Sequence, residues 1–180
     1  MITMSNERVM IVEDESIISL DIEDMLHDLD YSVVAVAQTG EDAIKNALEL
    51  MPDIILMDIM LDGDMDGIEA AERIKKEKDI PIIFVTANSD IVTLERAKIT
   101  SPYAYILKPI EQRELHTNIE IAIYKHKAEK QRQQLKKDFA ESLGYLQNLT
   151  NYVVAPNGNK PTSDFLEQVQ AFIVKYEAVN

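Results

Sequence analysis

The sequence predicts a doubly wound α/β fold, a five-stranded parallel sheet with helices on both faces, followed by a C-terminal α-helical hairpin. Three observations carry that expectation. Short apolar runs at 9–12, 32–37, 54–57, 81–85 and 103–107 alternate with amphipathic stretches of helical period, as parallel strands joined by crossovers require. The run at 54–57, Ile-Ile-Leu-Met, has no polar interruption, which is how a strand buried on both faces reads. Four of the runs then end in polar residues, at what becomes the carboxyl edge of the sheet, where open α/β sheets bind ligands.

Taken in order, Val9 to Val12 is the first strand, and Glu13, Asp14 and Glu15 follow it. Ile18, Ile22, Met25 and Leu29 recur at helical spacing with acids between them. Ser32 to Ala37 supplies the second strand. Gly40 opens a helix through Ala43, Ala47 and Leu50, which Pro52 stops before the central strand. Ile68 to Lys76 is the next helix, Pro81 to Val85 the fourth strand, Ser89 to Lys98 a fourth helix and Tyr103 to Leu107 the fifth strand. Right-handed crossovers bring the strand ends to one edge.

Composition removes several classes of chemistry. The chain has no cysteine, so disulfides, thiolate metal sites and thiol catalysis are excluded. No apolar run is long enough for a membrane span, and Met1 to Arg8 lacks a secretory hydrophobic segment; a cytoplasmic protein without membrane contact is expected. Charge is divided unevenly. Residues 1–110 carry 23 acidic against 9 basic side chains, and residues 111–180 carry 9 of each. The acidic first part repels nucleic acid.

Glu13 and Asp14 follow strand one, Asp58 ends strand three, Thr86 ends strand four and Lys108 ends strand five, so all five side chains are expected together at one sheet edge. Three carboxylates that close repel one another unless a cation joins them. A donor set of oxygen without sulfur or histidine suits a hard divalent ion, and Mg2+ takes one or two carboxylates beside a phosphate. Lys108 then supplies a point charge for a phosphate oxygen and Thr86 a hydroxyl donor beside it.

These residues, Glu13-Asp14, Asp58, Thr86-Ala87 and Tyr105-Ile-Leu-Lys108-Pro109, resemble the receiver domains of two-component response regulators, in order and spacing across residues 7 to about 126. The resemblance implies a flavodoxin-like sheet of order 2-1-3-4-5. It implies that Asp58 accepts a phosphoryl group from a histidine kinase, with Mg2+ held by Asp14, Asp58, the Met60 backbone carbonyl and Glu13. It implies that Thr86 and Tyr105 switch position on phosphorylation and that Lys108-Pro109 is a cis bond. The only chemistry expected is the domain's own phosphorylation and dephosphorylation. The loop after Asp58 departs from the family by one extra residue and a missing proline, which bears on Met60 and on the phosphoryl lifetime.

Other motifs have plainer readings. Asp62-Gly-Asp64-Met-Asp66-Gly67 opens like a calcium loop, but Arg73 stands where the twelfth position requires Glu; a solvated acidic loop entering a helix is expected instead. His27, His116 and His126 lie in charge-rich helical stretches and are expected to face solvent.

Residues 1–126 are expected to form the receiver and 127–180 a helical extension. Glu111 opens a helix that packs Leu115, Ile119, Ala122 and Ile123 on the sheet, and nothing stops it before Gly144 or Pro156. Leu135, Phe139, Leu143, Leu146, Leu149 and Val153 continue a stripe at steps of four and three. A turn at 156–163 leads to a last helix carrying Phe165, Leu166, Val169, Phe172, Ile173 and Tyr176. Such a hairpin buries little alone, so a homodimer through these C-terminal helices is expected. No nucleic-acid recognition helix is recognisable, and output through protein contacts is expected. The alternatives are a nucleic-acid-binding regulator using the basic helix 125–137, and a receiver-containing fragment of a hybrid sensor kinase.

Overall fold

The structure, a computed structural model, describes residues 7–87, 96–97, 100–154 and 167, with side chains up to 145 and at 167. The chain divides into two compact units, Met1–Ala128 and Glu129–Asn180. In the first, five strands form one parallel sheet: β1 Arg8–Val12, β2 Ser32–Ala37, β3 Ile54–Asp58, β4 Ile82–Thr86 and β5 Ala104–Leu107. Their order is β2-β1-β3-β4-β5. The helices are α1 Ser16–Asp28, α2 Gly40–Leu50, α3 Gly67–Glu77 and α4 Gln112–Val154. The sequence-predicted helix 89–98 falls outside the described residues except for Arg96 and Ala97, which are helical.

Every residue of β3 and β4 is buried, because helices cover both faces. Alternate residues of each strand point to opposite sides. On one side Met10, Val12, Ile55, Met57 and Phe84 share a cluster with Ala43 and Ala47 of α2 and Ile68, Ala71 and Ile74 of α3. On the other, Val9, Ile11, Ile54, Leu56, Ile83 and Val85 share one with Ile22 and Leu26 of α1 and Leu115, Ile119, Ala122 and Ile123 of α4. Fully burying one such aliphatic side chain contributes about 1.5–3 kcal/mol, so these two clusters are the main stabilising term.

Caps set where helices begin. The Thr39 hydroxyl accepts from the Asp42 N–H at 3.2 Å, and Glu41 and Asp42 occupy the first turn, where a helix dipole favours acids. Asp66 caps α3 by accepting from the Glu69 N–H at 2.9 Å, and Lys75 and Lys76 occupy that helix's last turn. Met51 ends α2 at φ 50°, just before Pro52.

Two expectations fail at the histidines. His126 is 8% exposed, with Tyr103 Oη 3.1 Å from its Nδ1 and Asp79 Oδ2 3.8 Å from its Nε2. His116 is half-buried, its Nδ1 2.9 Å from the hydroxyl of Tyr31, which also donates to Glu120 Oε1 at 3.1 Å. Both rings fall at the margin of α4's buried stripe, where tyrosines from other elements reach them. His27 is exposed, as expected.

α4 runs 43 residues and passes through Gly144 without stopping. A single glycine costs a helix interior only about 1 kcal/mol. In the second unit Leu135, Phe139 and Leu143 of α4 are exposed, at 69%, 63% and 44%. The remaining stripe side chains, the turn 156–163 and, Glu167 apart, the last helix lie outside the described residues. Among the described residues no helix is long and apolar enough to cross a membrane.

Candidate functional site

Glu13, Asp14, Asp58, Thr86 and Lys108 stand at the carboxyl edge of the sheet, Tyr105 lies within β5, and backbone hydrogen bonds that extend the ladders set Glu13 and Lys108 in place. The Glu13 N–H donates to the Ala37 carbonyl at 2.9 Å, continuing the β1–β2 pairing one residue beyond β1. The Lys108 N–H donates to the Thr86 carbonyl at 3.0 Å, continuing β4–β5 in the same way. Asp58, the last residue of β3, pairs in register with Val85, and Thr86 with Leu107. The Lys108–Pro109 peptide is cis.

The side chains converge as their placement predicts. Lys108 Nζ lies 2.5 Å from Asp58 Oδ2 and 2.7 Å from Glu13 Oε2. The other Asp58 oxygen, Oδ1, accepts from the Met60 N–H at 2.9 Å. Glu13, Asp14 and Asp58 each offer a carboxylate oxygen within 4.8 Å of the others. Glu13 and Asp58 are buried and Asp14 is half-buried. Thr86 is fully buried at the end of β4. Tyr105 is half-buried, its ring stacked on Phe84 with centroids 5.9 Å apart, which agrees with a partly buried strand aromatic. Met60 exposes its side chain and meets Asp58 through its backbone.

The electrostatics are unbalanced. Burial pushes the Glu13 carboxyl above its ordinary pKa; Lys108 opposes the shift, Asp58 adds to it, and the net is upward. Burial alone would lower Lys108, but hydrogen bonds to Asp58 and Glu13 outweigh it and hold the ammonium above its usual range. Three carboxylates and one ammonium leave two negative charges uncompensated. Glu13 Oε1 is buried and accepts no hydrogen bond, an arrangement that costs roughly 1–3 kcal/mol for a neutral group and more for a charged one. A hard divalent cation matches both the residual charge and the bare oxygen, so the residues present fit Mg2+.

The loop leaving the site is tightly closed. The Gly67 N–H donates to the Ile59 carbonyl at 3.0 Å, and a Cβ on Gly67 would stand 1.8 Å from the Asp58 carbonyl oxygen. Asp66 uses Oδ1 to cap α3 and Oδ2 to pair with Arg96 Nη2 at 2.7 Å. Sequence reading foresaw the acidic loop and its entry into α3 but not this ion pair, whose partners are 30 residues apart with no periodic signal to join them.

Comparison with known proteins agrees with this fold. The family model for the response regulator receiver domain matches residues 9–120. The transcriptional regulatory protein PdtaR of Mycobacterium tuberculosis is 36% identical over 116 residues, 64% of this chain and 56% of that protein. The response regulator protein VraR of Staphylococcus saprophyticus is 38% identical over 103 residues, 56% of this chain and 49% of its own. The match thus spans about half the length of these relatives. Among solved structures, the signal receiver domain of a modulated diguanylate cyclase from Desulfovibrio desulfuricans G20 superposes with a TM-score of 0.67 at 42% identity, covering 69% of this chain and 99% of that one. The receiver domain of the sensor histidine kinase PA1611 from Pseudomonas aeruginosa PAO1, described with a magnesium ion coordinated in its active-site cleft, gives 0.61 at 30% identity, covering 66% and 98%.

Proposed function

The chain belongs to the response regulator receiver family through residues 9–120, and on that premise we propose that Asp58 accepts a phosphoryl group from the phosphohistidine of a histidine kinase. The observation that supports this best is the pairing of Asp58 with Lys108 beside two further carboxylates and a buried oxygen without a donor. Glu13, Asp14, Asp58 and the Met60 backbone carbonyl would hold Mg2+, Glu13 directly or through water. When bound, that ion neutralises the carboxylates and draws charge from the phosphoryl oxygens.

The chain's own residues supply positioning, which is most of what phosphoryl transfer needs. An Asp58 carboxylate oxygen forms the new P–O bond as the P–N bond to the donor imidazole breaks, and the electron pair leaves with that ring. The Lys108 ammonium, shared between Asp58 and Glu13, moves to a phosphoryl oxygen and carries one positive charge with it. The Thr86 hydroxyl donates to another. Thr86 and Tyr105 then change position as the modified Asp58 draws the hydroxyl inward. The domain acts only on itself in this step and in the later hydrolysis.

The output runs through protein contacts, and the C-terminal helices pair two copies of the chain. The exposed side chains of Leu135, Phe139 and Leu143 support that reading, since clustered apolar surface on a soluble protein marks an interface. Incubation with a small-molecule phosphodonor and Mg2+, followed by mass spectrometry, tests the acceptor. Asp58→Asn is expected to abolish the added mass of one phosphoryl group, and undiminished labelling of that variant would remove Asp58 from the role.

A further inference from the structure

We infer that Arg96 is a positioning residue for the loop after Asp58, holding residues 59–66 through Asp66 so that the Met60 backbone stays where the cation needs it. This rests on the reading of Asp58, Met60 and Mg2+ given above. The loop begins at Ile59 and ends at Asp66, contains no proline and carries Gly63 at φ 117°. Its ends are anchored by the burial of Ile59 and Met65. Residues 60, 62, 63 and 64 are exposed and Leu61 between them packs only partly on the core, so packing fixes little of the span that includes Met60. A polar tie at Asp66 therefore bears directly on how freely that span moves.

Arg96 is well mounted to provide one. Its neighbour Ala97 is fully buried in the cluster that holds Ile68, Ala71 and Ile74 of α3. Both the N–H and the hydroxyl of Thr100 donate to the Ala97 carbonyl, at 3.1 and 2.8 Å. Lys75 of α3 donates to the carbonyls of Thr100 and of Ser101, the latter at 2.7 Å. Thr100 and Ser101 are thus strapped to α3 by Lys75 near its carboxyl end, and Arg96 by Asp66 at its amino cap. Asp66 has one oxygen on the Glu69 N–H and the other on Arg96, so its carboxylate is held from both sides. Through it the guanidinium fixes the base of the loop that carries Met60.

The pair is partly exposed, with side chains 51% and 27% accessible, and ion pairs of that kind are modest. The expected effects are accordingly factors of about two to five. Arg96→Gln in the full chain is expected to speed amide hydrogen exchange at residues 60–65 of the metal-free protein by that factor, leaving β3 and α1 unchanged. Calorimetry is expected to show Mg2+ affinity weakened to the same extent. Arg96→Lys should recover part of both. Asp66→Asn keeps a capping oxygen but loses the charge, so it should reproduce Arg96→Gln, and the double variant should be no worse than either single one. Wild-type Mg2+ binding that Arg96→Gln leaves untouched, or exchange that rises equally across β3 and the loop, overturns the inference alone. A wild-type chain that does not bind Mg2+ overturns the cation reading and the inference with it.

Discussion

Replacing Gly67 by alanine tests how closely the acceptor strand and α3 are fitted. A Cβ there would lie 1.8 Å from the Asp58 carbonyl oxygen, 2.9 Å from its carbon and 3.1 Å from Met57 Cγ. Real Cβ atoms do not approach within 3.0 Å, so the two backbones must part by at least 3.0 − 1.8 = 1.2 Å. β3 cannot yield readily, because all five of its residues are buried and both its neighbours are paired to it. The start of α3 must retreat instead. That stretches the Gly67 N–H to Ile59 bond, worth about 1 kcal/mol, and disturbs the Asp66 cap, worth about 1 kcal/mol. Overpacking costs roughly 1–3 kcal/mol in all, and a Cβ only 1.8 Å from a fixed strand's carbonyl oxygen puts this case at the upper end. Alanine's helix preference returns at most about 1 kcal/mol. The net expectation is a loss of about 2–3 kcal/mol, read as a lower denaturant midpoint at unchanged slope, together with slower labelling of Asp58. Gly63→Ala is a useful contrast, since nothing lies within 4 Å of its Cβ but φ is 117°; it should cost about 1 kcal/mol through backbone strain alone. A Gly67→Ala protein within about 0.5 kcal/mol of wild type, labelled at the normal rate, would refute the fit.

Three further outcomes are expected. Glu13 has a raised folded pKa, so its contribution to stability is fully present below the ordinary value of 4.5 and is lost as pH rises through the folded one. Lys108 stays charged throughout, because its own pKa is also raised. In metal-free melts Glu13→Gln should therefore gain on wild type as pH rises above the ordinary value of 4.5, and identical pH profiles for the two would count against a burdened Glu13. Mg2+ at ten times its dissociation constant should stabilise the native state by about 1.4 kcal/mol, raising the melting temperature by several degrees, and Asp14→Ala should remove most of that response. Phe139→Glu should lower the solution mass measured by light scattering to that of one chain. A wild-type chain that is already monomeric with and without phosphodonor would instead end the self-association reading.

The parts of the fold legible in the sequence are those that local patterns specify. Ile54 to Met57 could be placed as a central strand because uninterrupted burial leaves no polar residue in it, and the other strands followed from the same signal. Once five parallel strands are assigned, topology alone brings Glu13, Asp14, Asp58, Thr86 and Lys108 to one edge, and the structure places them there. What stayed hidden depends on pairings across the fold. His116 meets Tyr31 at a separation of 85 residues, and a histidine's own neighbours in a charge-rich helix give no hint of that. The Gly67 contact is invisible for another reason: Asp66-Gly67 reads as an ordinary helix start, and only the backbone path shows that the strand passes where a side chain would be.

The charge count explains why this site fits a receiver better than a permanent ion-pair cluster. A structural salt bridge is stable when charge and hydrogen bonding are both satisfied, whereas here one ammonium is divided between two carboxylates and a third stands beside them. Burial of Glu13 leaves an oxygen with no donor, so the protein carries an electrostatic burden that packing does not relieve. That burden is tolerable only because β3 and β4 lie in a well-filled core and fix the site geometrically. A phosphoryl group brings further negative charge to the same few ångströms. Lys108 can compensate one unit of it by leaving Asp58, and the rest requires a cation. On the proposed function, transfer to Asp58 would be conditional on the ion by simple arithmetic of charge, and a phosphorylated state would redistribute Lys108 and Thr86 to accommodate what was added. On that proposal, the coupling from chemistry to conformation would begin in that redistribution.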